Sequence, residues 1–351
     1  MSQCRLDENI NISGVPGFSM ENRHLRVVVL SGKGTDIFEL RDKASGVDVL
    51  FKTPWGLRNP QTYVHDTPSA TAPFMDFYPG GWQELFPNAG NNCIYKGAEL
   101  GFHGEICKVP WEFTVLKNSP AEVAVKCRVR TVRCPFLVEK TLTLKPDAAL
   151  EIEETVTNEG AEPMDFMWGH HPAFGAPFLD EHCRLFTPAT GVETAHALPA
   201  HQLLPPETSF QTFPKVRTVD GDEFDLSRMQ LPTARFAHLS YLMGLKDGWY
   251  CLVNEKTRLG VALRWDLDVF RYLWLWQEFC GTLQYPWWGQ GYVTGIEPHS
   301  SIPGLGLDKA IERGTQLTLT PKRSLSTRLC VSLFQAEGEP KGVTEDGKVL
   351  Y

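Results

Sequence analysis

The chain has 351 residues, a formal net charge of -8, and 30 Gly and 25 Pro spread along its length. A nucleic-acid footprint needs clustered Lys and Arg, so this acidic balance argues against one and favours a small neutral or weakly charged partner. With 42% apolar and 22% charged residues the composition is that of an ordinary globular protein, but ten tryptophans ask for a pocket or surface that uses them.

The opening stretch, MSQCRLDENINISGVPGFSM, has neither the basic start nor the apolar run of a secretory signal, and no apolar segment reaches bilayer length. A cytoplasmic protein with no membrane partner is therefore expected. Nine cysteines at irregular intervals form no C-x-x-C pair and read as reduced thiols.

Period-two alternation first shows in LRVVVL (25–30). It returns in AEVAVKCRVRTV (121–132), LVEKTLTL (137–144), LEIEETVTN (150–158), YCLVNE (250–255), LGVALRW (259–265), FRYLWLW (270–276) and QLTLTP (316–321). Clusters such as KPDA, TNEGAEP and VDGDE read as the turns between them. Helical periodicity is hard to find, so an all-β chain is predicted, mainly antiparallel and strongly twisted. No break in composition marks a boundary, and residues 1–335 read as one domain followed by a charged peripheral tail, 336–351. The Pro-rich stretch 176–235 reads as long surface excursions of a length that tends to be functional.

G-x-G-x-x-G, P-loop, H-E-x-x-H and G-x-S-x-G motifs are all absent. Three other places could carry chemistry. In LGFHGE, His103 lies between Phe102 and Gly104, where glycines allow close backbone approach to a ligand; a plain loop histidine is the bland reading. In WGHHPAFG, strand alternation sends His170 and His171 to opposite faces, and Pro172 holds His171 extended. In QGYVTGIEPHSS, Glu297 ends an apolar strand, where a carboxylate is costly unless paired, exposed or used. His299 follows at the same parity as a candidate partner. Tyr272, Trp274 and Trp276 share one face of FRYLWLW, a wall that suits the C–H face of a sugar, although for any single tryptophan a sheet-on-sheet core is the better reading.

Taken in chain order, GGWQELFPNAG, LGFHGE, a TVTNEG strand leading into a GHHPAFG turn, and a strand ending in IEP resemble the aldose 1-epimerase (galactose mutarotase) family. The resemblance implies a large antiparallel β-sandwich, the galactose mutarotase-like supersandwich, with a sugar site and no metal or organic cofactor. It implies Glu297 as the base that takes the C1 hydroxyl proton, His171 as the acid toward the ring oxygen, and His103 as a further donor there. Sugar contacts are expected from Trp82, Gln83, Asn91, Trp276 and Arg58, with His170 structural or supporting from behind.

Two departures bear on substrate. Members acting on galactose carry an arginine where this chain reads NAGNN, with Asn91 or Asn92, and their sugar-holding aspartate has no clear match. The expectation is a hexose or modified hexose other than plain galactose, with a modified or acidic sugar preferred and its anion met by a cation such as Arg58 or Arg264. Competing readings are a sugar-binding protein that has lost the chemistry and a metal-dependent lyase or isomerase using His103, His171 and Glu297 as ligands.

Overall fold

A computed structural model of the protein describes residues 3–62, 69–198, 200 and 202–351. Nearly all its regular structure is strand. The larger sheet has eleven strands, in the order Arg5–Ile12, Val15–Glu21, Leu25–Leu30, Asp36–Asp42, Trp82–Leu85, Gly169–Gly175, Tyr292–His299, Tyr272–Phe279, Phe236–Met243, Gly191–Thr194 and Ser209–Phe210. The other has eight: Cys183–Phe186, Trp249–Asn254, Leu259–Trp265, Ser324–Gln335, Leu150–Asn158, Phe136–Leu144, Glu122–Arg130 and Glu112–Ser119. Neighbours within both are antiparallel.

The two sheets pack face to face. Phe136–Leu144 alternates buried and half-buried residues, as expected of a strand with one face on a core and one toward water. Phe86 meets Phe136 from the opposite sheet at 5.0 Å between ring centroids, and Phe174 meets Tyr250 at 6.3 Å. In the middle of the larger sheet the alternation disappears. Every residue of Gly169–Gly175 is buried, because chain excursions cover that sheet's outer face as well.

The stretch 176–235 is less irregular than its composition predicts. It adds one strand to the smaller sheet and two to the larger, apart from residues 199 and 201, which lie outside the described residues. Helix is confined to short pieces, the longer being Leu307–Arg313 with Leu307 and Ala310 buried. Ala336 and Val343 join Trp249, Cys251, Val253 and Ala262 in a small separate apolar cluster. The nine cysteines are all free. Among the described residues no helix is long and apolar enough to cross a membrane.

Candidate active site

Strand register assembles the site. On the outer face of the larger sheet Trp274 pairs with Glu297 on one side and Tyr241 on the other, while His171 pairs with Gln83. Because Gly169 is opposite His299 and Ala173 opposite Gly295, His171 falls opposite Glu297. One row across five strands therefore reads Gln83, His171, Glu297, Trp274, Tyr241. The row toward one end carries Trp276 and Leu239, and Glu278 continues the face of Trp274 and Trp276. Gly295 matters for space: a Cβ there would lie 2.4 Å from Glu297 Oε1.

Glu297 is 2% exposed and holds two imidazoles. Its Oε1 is 3.5 Å from His171 Nε2, and its Oε2 is 3.2 Å from His299 Nε2. Burial pushes the Glu297 carboxyl well above the usual carboxylate range and the His171 imidazole down to about 4. Free in water the two would be oppositely charged near pH 5.5, from reference values of about 4.3 and 6.5. Here both are drawn toward their neutral forms, so the pair is best treated as one unit sharing one exchangeable proton.

His103 comes from a turn in which its own φ is 59° and that of Gly104 is 71°. A side chain at Gly104 would strike Phe86 O, at 2.2 Å from the Cβ, so glycine is needed for the turn to close. The turn is locked to Gly90: the His103 backbone N–H donates to Gly90 O, and the Gly90 N–H donates to His103 Nδ1, both at 3.0 Å. With Nδ1 accepting, the neutral ring carries its proton on Nε2. Burial, and then His171, hold this imidazole well below its ordinary value, so it serves as a neutral N–H donor. Its ring centroid is 5.6 Å from that of His171.

These groups line a cavity of about 250 Å³, at the small end for ligand clefts. Phe74, Tyr78, Trp274, Trp276 and Trp287 give it aromatic walls, and Asn91, His196 and Glu278 contribute polar atoms. Tyr78 Oη, His171 Nδ1 and His196 Nδ1 are buried without a hydrogen-bond partner. Buried polar atoms are normally paired, so unsatisfied atoms on three residues that line one cavity set this place apart from an ordinary core. Glu278 is already occupied: Oε1 accepts from the N–H groups of Gly281 and Thr282, and Oε2 from the Thr282 hydroxyl. It anchors the turn leading to Tyr285 and Trp287.

Of the residues expected from sequence, His103, His171, Glu297, Asn91 and Trp276 come together at this cavity. The others do not line it. Trp82 points into the core between the sheets and donates to His170 Nδ1 at 3.0 Å, while His170 Nε2 meets Glu154 at 2.9 Å. Gln83 shares the face of His171 but is fully buried, donating to Asp36 and to Gly80 O. Arg58 is exposed and donates to Asp76 O at 3.0 Å. Arg264 is on the opposite sheet, bound to Asp247 and Glu345. Among the described residues no Lys or Arg lines the cavity, whereas Glu278 and Glu297 do, so the expected cation for an acidic sugar is not there. Among the described residues, the group with three ligand atoms within 4.8 Å of one another is Asp180, Glu181 and His182, not His103, His171 and Glu297.

Phe74, Tyr78, His196, Glu278 and Trp287 were not singled out by sequence. Glu278 had a readable signal, the parity of Trp274 and Trp276. The others arrive from connecting segments that carry no periodicity.

The architecture is that of the galactose mutarotase-like proteins. A Klebsiella pneumoniae protein described provisionally as an aldose 1-epimerase superposes with a TM-score of 0.72 at 17% identity, over 93% of this chain and 82% of that one. A galactose mutarotase-like protein of Clostridium acetobutylicum gives 0.66 at 17% identity, over 95% and 99%. A galactose mutarotase related enzyme of Lactobacillus acidophilus gives 0.56 at 17%, over 95% and 99%. The chain itself belongs to the family described as a domain of unknown function, DUF4432, whose model matches residues 13–333.

Proposed function

We propose that the protein is an aldose 1-epimerase acting on a neutral hexose-type sugar. The observation that carries this reading is the buried pair His171 Nε2 and Glu297 Oε1, 3.5 Å apart at an aromatic-walled cavity. Interconverting anomers requires a proton taken from the C1 hydroxyl and one given to the ring oxygen. Both oxygens are bonded to C1, so acceptor and donor must sit side by side, as these two groups do.

In the ionised form of the pair Glu297 takes the hydroxyl proton and protonated His171 gives its proton to the ring oxygen. The C1–ring oxygen bond breaks as the C1 carbonyl forms. Rotation about C1–C2 presents the other face of the aldehyde, and closure runs the transfers backwards. The pair ends with the proton count it started with. His103 Nε2–H donates to the ring oxygen or an adjacent hydroxyl, where it favours developing negative charge. The aromatic walls accept the C–H face of the pyranose.

Neutral sugars follow from the lining. An anionic group placed beside Glu278 and Glu297 would meet no lysine or arginine among the described lining residues. The test is anomeric exchange by NMR on a panel of neutral, uronic and phosphorylated aldoses, with the uncatalysed rate as baseline. The expected result is faster exchange of neutral aldoses, with higher kcat/KM than for every acidic member. Binding of sugars with no acceleration of any would replace the enzyme by a sugar-binding protein, and preference for an acidic sugar would overturn the substrate class.

A further inference from the structure

His299 is fully buried, two residues beyond Glu297 on the same strand face. Its ring lies flat on the Trp274 indole, at 3.7 Å between centroids and 10° between planes. That indole is fixed in turn, donating from Nε1 to Ser301 O at 3.0 Å. On the neighbouring strand stands Gly169, where a Cβ would be 2.1 Å from His299 Nδ1. A backbone hydrogen is all that fits there. The imidazole is thus held against an indole on one side and a glycine on another.

The tautomer follows from the partners. His299 Nδ1 has no hydrogen-bond partner, and Nε2 lies 3.2 Å from Glu297 Oε2. A proton on Nδ1 would leave a buried donor unsatisfied and turn a nitrogen lone pair toward the carboxyl. A proton on Nε2 satisfies the donor and leaves one weakly costly acceptor. Glu297 Oε2 is then engaged from behind, and Oε1 remains for His171.

We propose that His299 is a positioning residue: its Nε2–H pins Glu297 Oε2 and so confines the exchangeable proton to the Oε1 edge facing His171 and the cavity, and Gly169 is glycine to admit that ring. The proposal rests on the epimerase reading for its kinetic consequence. Its structural content, a hydrogen bond that favours the ionised carboxyl, stands apart from it. The other titratable groups acting on Glu297 are His171, beside it, and the hydroxyls of Tyr78, Tyr241 and Tyr250.

Three variants test it. His299→Phe keeps a ring on Trp274 without the donor, His299→Gln restores an N–H, and Gly169→Ala displaces the imidazole without altering it. Two readouts are taken on folded protein: kcat and KM in anomeric exchange, and titration of the Glu297 carboxyl by carbon-13 NMR without sugar. For His299→Phe and Gly169→Ala the expected loss is about 10- to 100-fold in kcat, the range a hydrogen bond to a charged group converts to. KM should change little, and the carboxyl should titrate at higher pH. His299→Gln should recover part of both. A wild-type titration curve in His299→Phe or, should that variant not fold, in Gly169→Ala overturns the proposal. If wild-type protein exchanges no sugar, the epimerase reading fails while the carboxyl titration still decides the role of His299.

Discussion

The strand Gly169–Gly175 places two adjacent histidines in two different worlds. Inward, His170 accepts from the Trp82 indole and meets Glu154, while Lys140 bonds Glu84 at 2.8 Å and Trp168 donates to the other Glu84 oxygen at 2.8 Å. Lys140 also lies 5.0 Å above the Trp111 ring. Nearly every polar atom here has a partner; Glu154 Oε1, 3.9 Å from Lys140, is the exception. Outward, His171 has one loose contact to Glu297 at 3.5 Å and an orphaned Nδ1. Burial is the same, 2% and 6% exposure. What separates the two histidines is therefore their surroundings rather than burial: the inner network leaves one oxygen unpaired, whereas His171 has a single loose polar contact and lines a cavity.

The largest expected effect lies on the outer face. Glu297→Gln and His171→Asn should each lower the anomeric exchange rate by roughly 10²- to 10⁴-fold, the usual contribution of a general acid or base. Thermal unfolding of Glu297→Gln should leave Tm unchanged or raised, because a buried carboxyl disfavoured by desolvation is replaced by a neutral amide. Exchange close to the wild-type rate in either variant removes that residue from the chemistry.

The inner face should respond the other way. Lys140→Met leaves Glu84 buried without its cation, which costs about 3–5 kcal/mol in comparable buried pairs. Burial pushes the Glu84 carboxyl up, but Lys140 and His170 more than offset this and hold it below its ordinary value. Denaturant unfolding should show the loss, with kcat per folded molecule retained. His170→Asn should follow with a smaller loss of about 1–3 kcal/mol, for the partners it strands. If His170→Asn instead abolishes exchange without loss of stability, the division between the two faces fails.

This division was partly legible in the amino-acid sequence. The strands 25–30, 150–158 and 259–265 coincide with the observed ones: one-sided burial writes the alternation of 150–158, whereas the other two are short apolar runs buried almost throughout. The strand alternation read in GHHPAFG holds, and the stretch is a central strand rather than the turn of the family comparison. Its Gly169 serves neighbouring His299 rather than its own backbone, a reason that no local pattern expresses. His103, His171 and Glu297 were readable from motif order. Trp82 was misplaced: it opens a four-residue strand whose facing depends on pairing with Pro172, 90 positions further along the chain, and register over that separation cannot be read from composition.

The pH dependence sharpens the contrast next. In the proposed mechanism, exchange needs the His171 and Glu297 pair to hold one proton. With His171 depressed to about 4 and Glu297 raised well above its ordinary value, the doubly protonated pair should persist only in strong acid and the last proton should leave late. The expected kcat/KM profile falls in acid near the His171 value of about 4 and stays level past about pH 6.5 before its alkaline limb. An alkaline limb near 6.5, that of an unperturbed imidazole, would mean that burial does not set the pair's protonation.

The smallest expected effect tests the orphaned atoms themselves. Tyr78 is 2% exposed and lines the cavity, its ring is 5.5 Å from that of His171, and its buried hydroxyl has no partner in the protein. Burial, and then the Glu297 charge, hold the phenol well above its ordinary value, so it stays protonated and can donate. If a sugar hydroxyl completes this bond, Tyr78→Phe removes one neutral hydrogen bond from the complex, about 0.5–1.5 kcal/mol or 2- to 13-fold in KM. The free protein loses nothing, and Tm should hold or rise because an unsatisfied buried hydroxyl is gone. A variant that loses stability while binding sugar as before would show that the hydroxyl has a structural partner, and that an orphaned atom on this face is no guide to where the ligand sits.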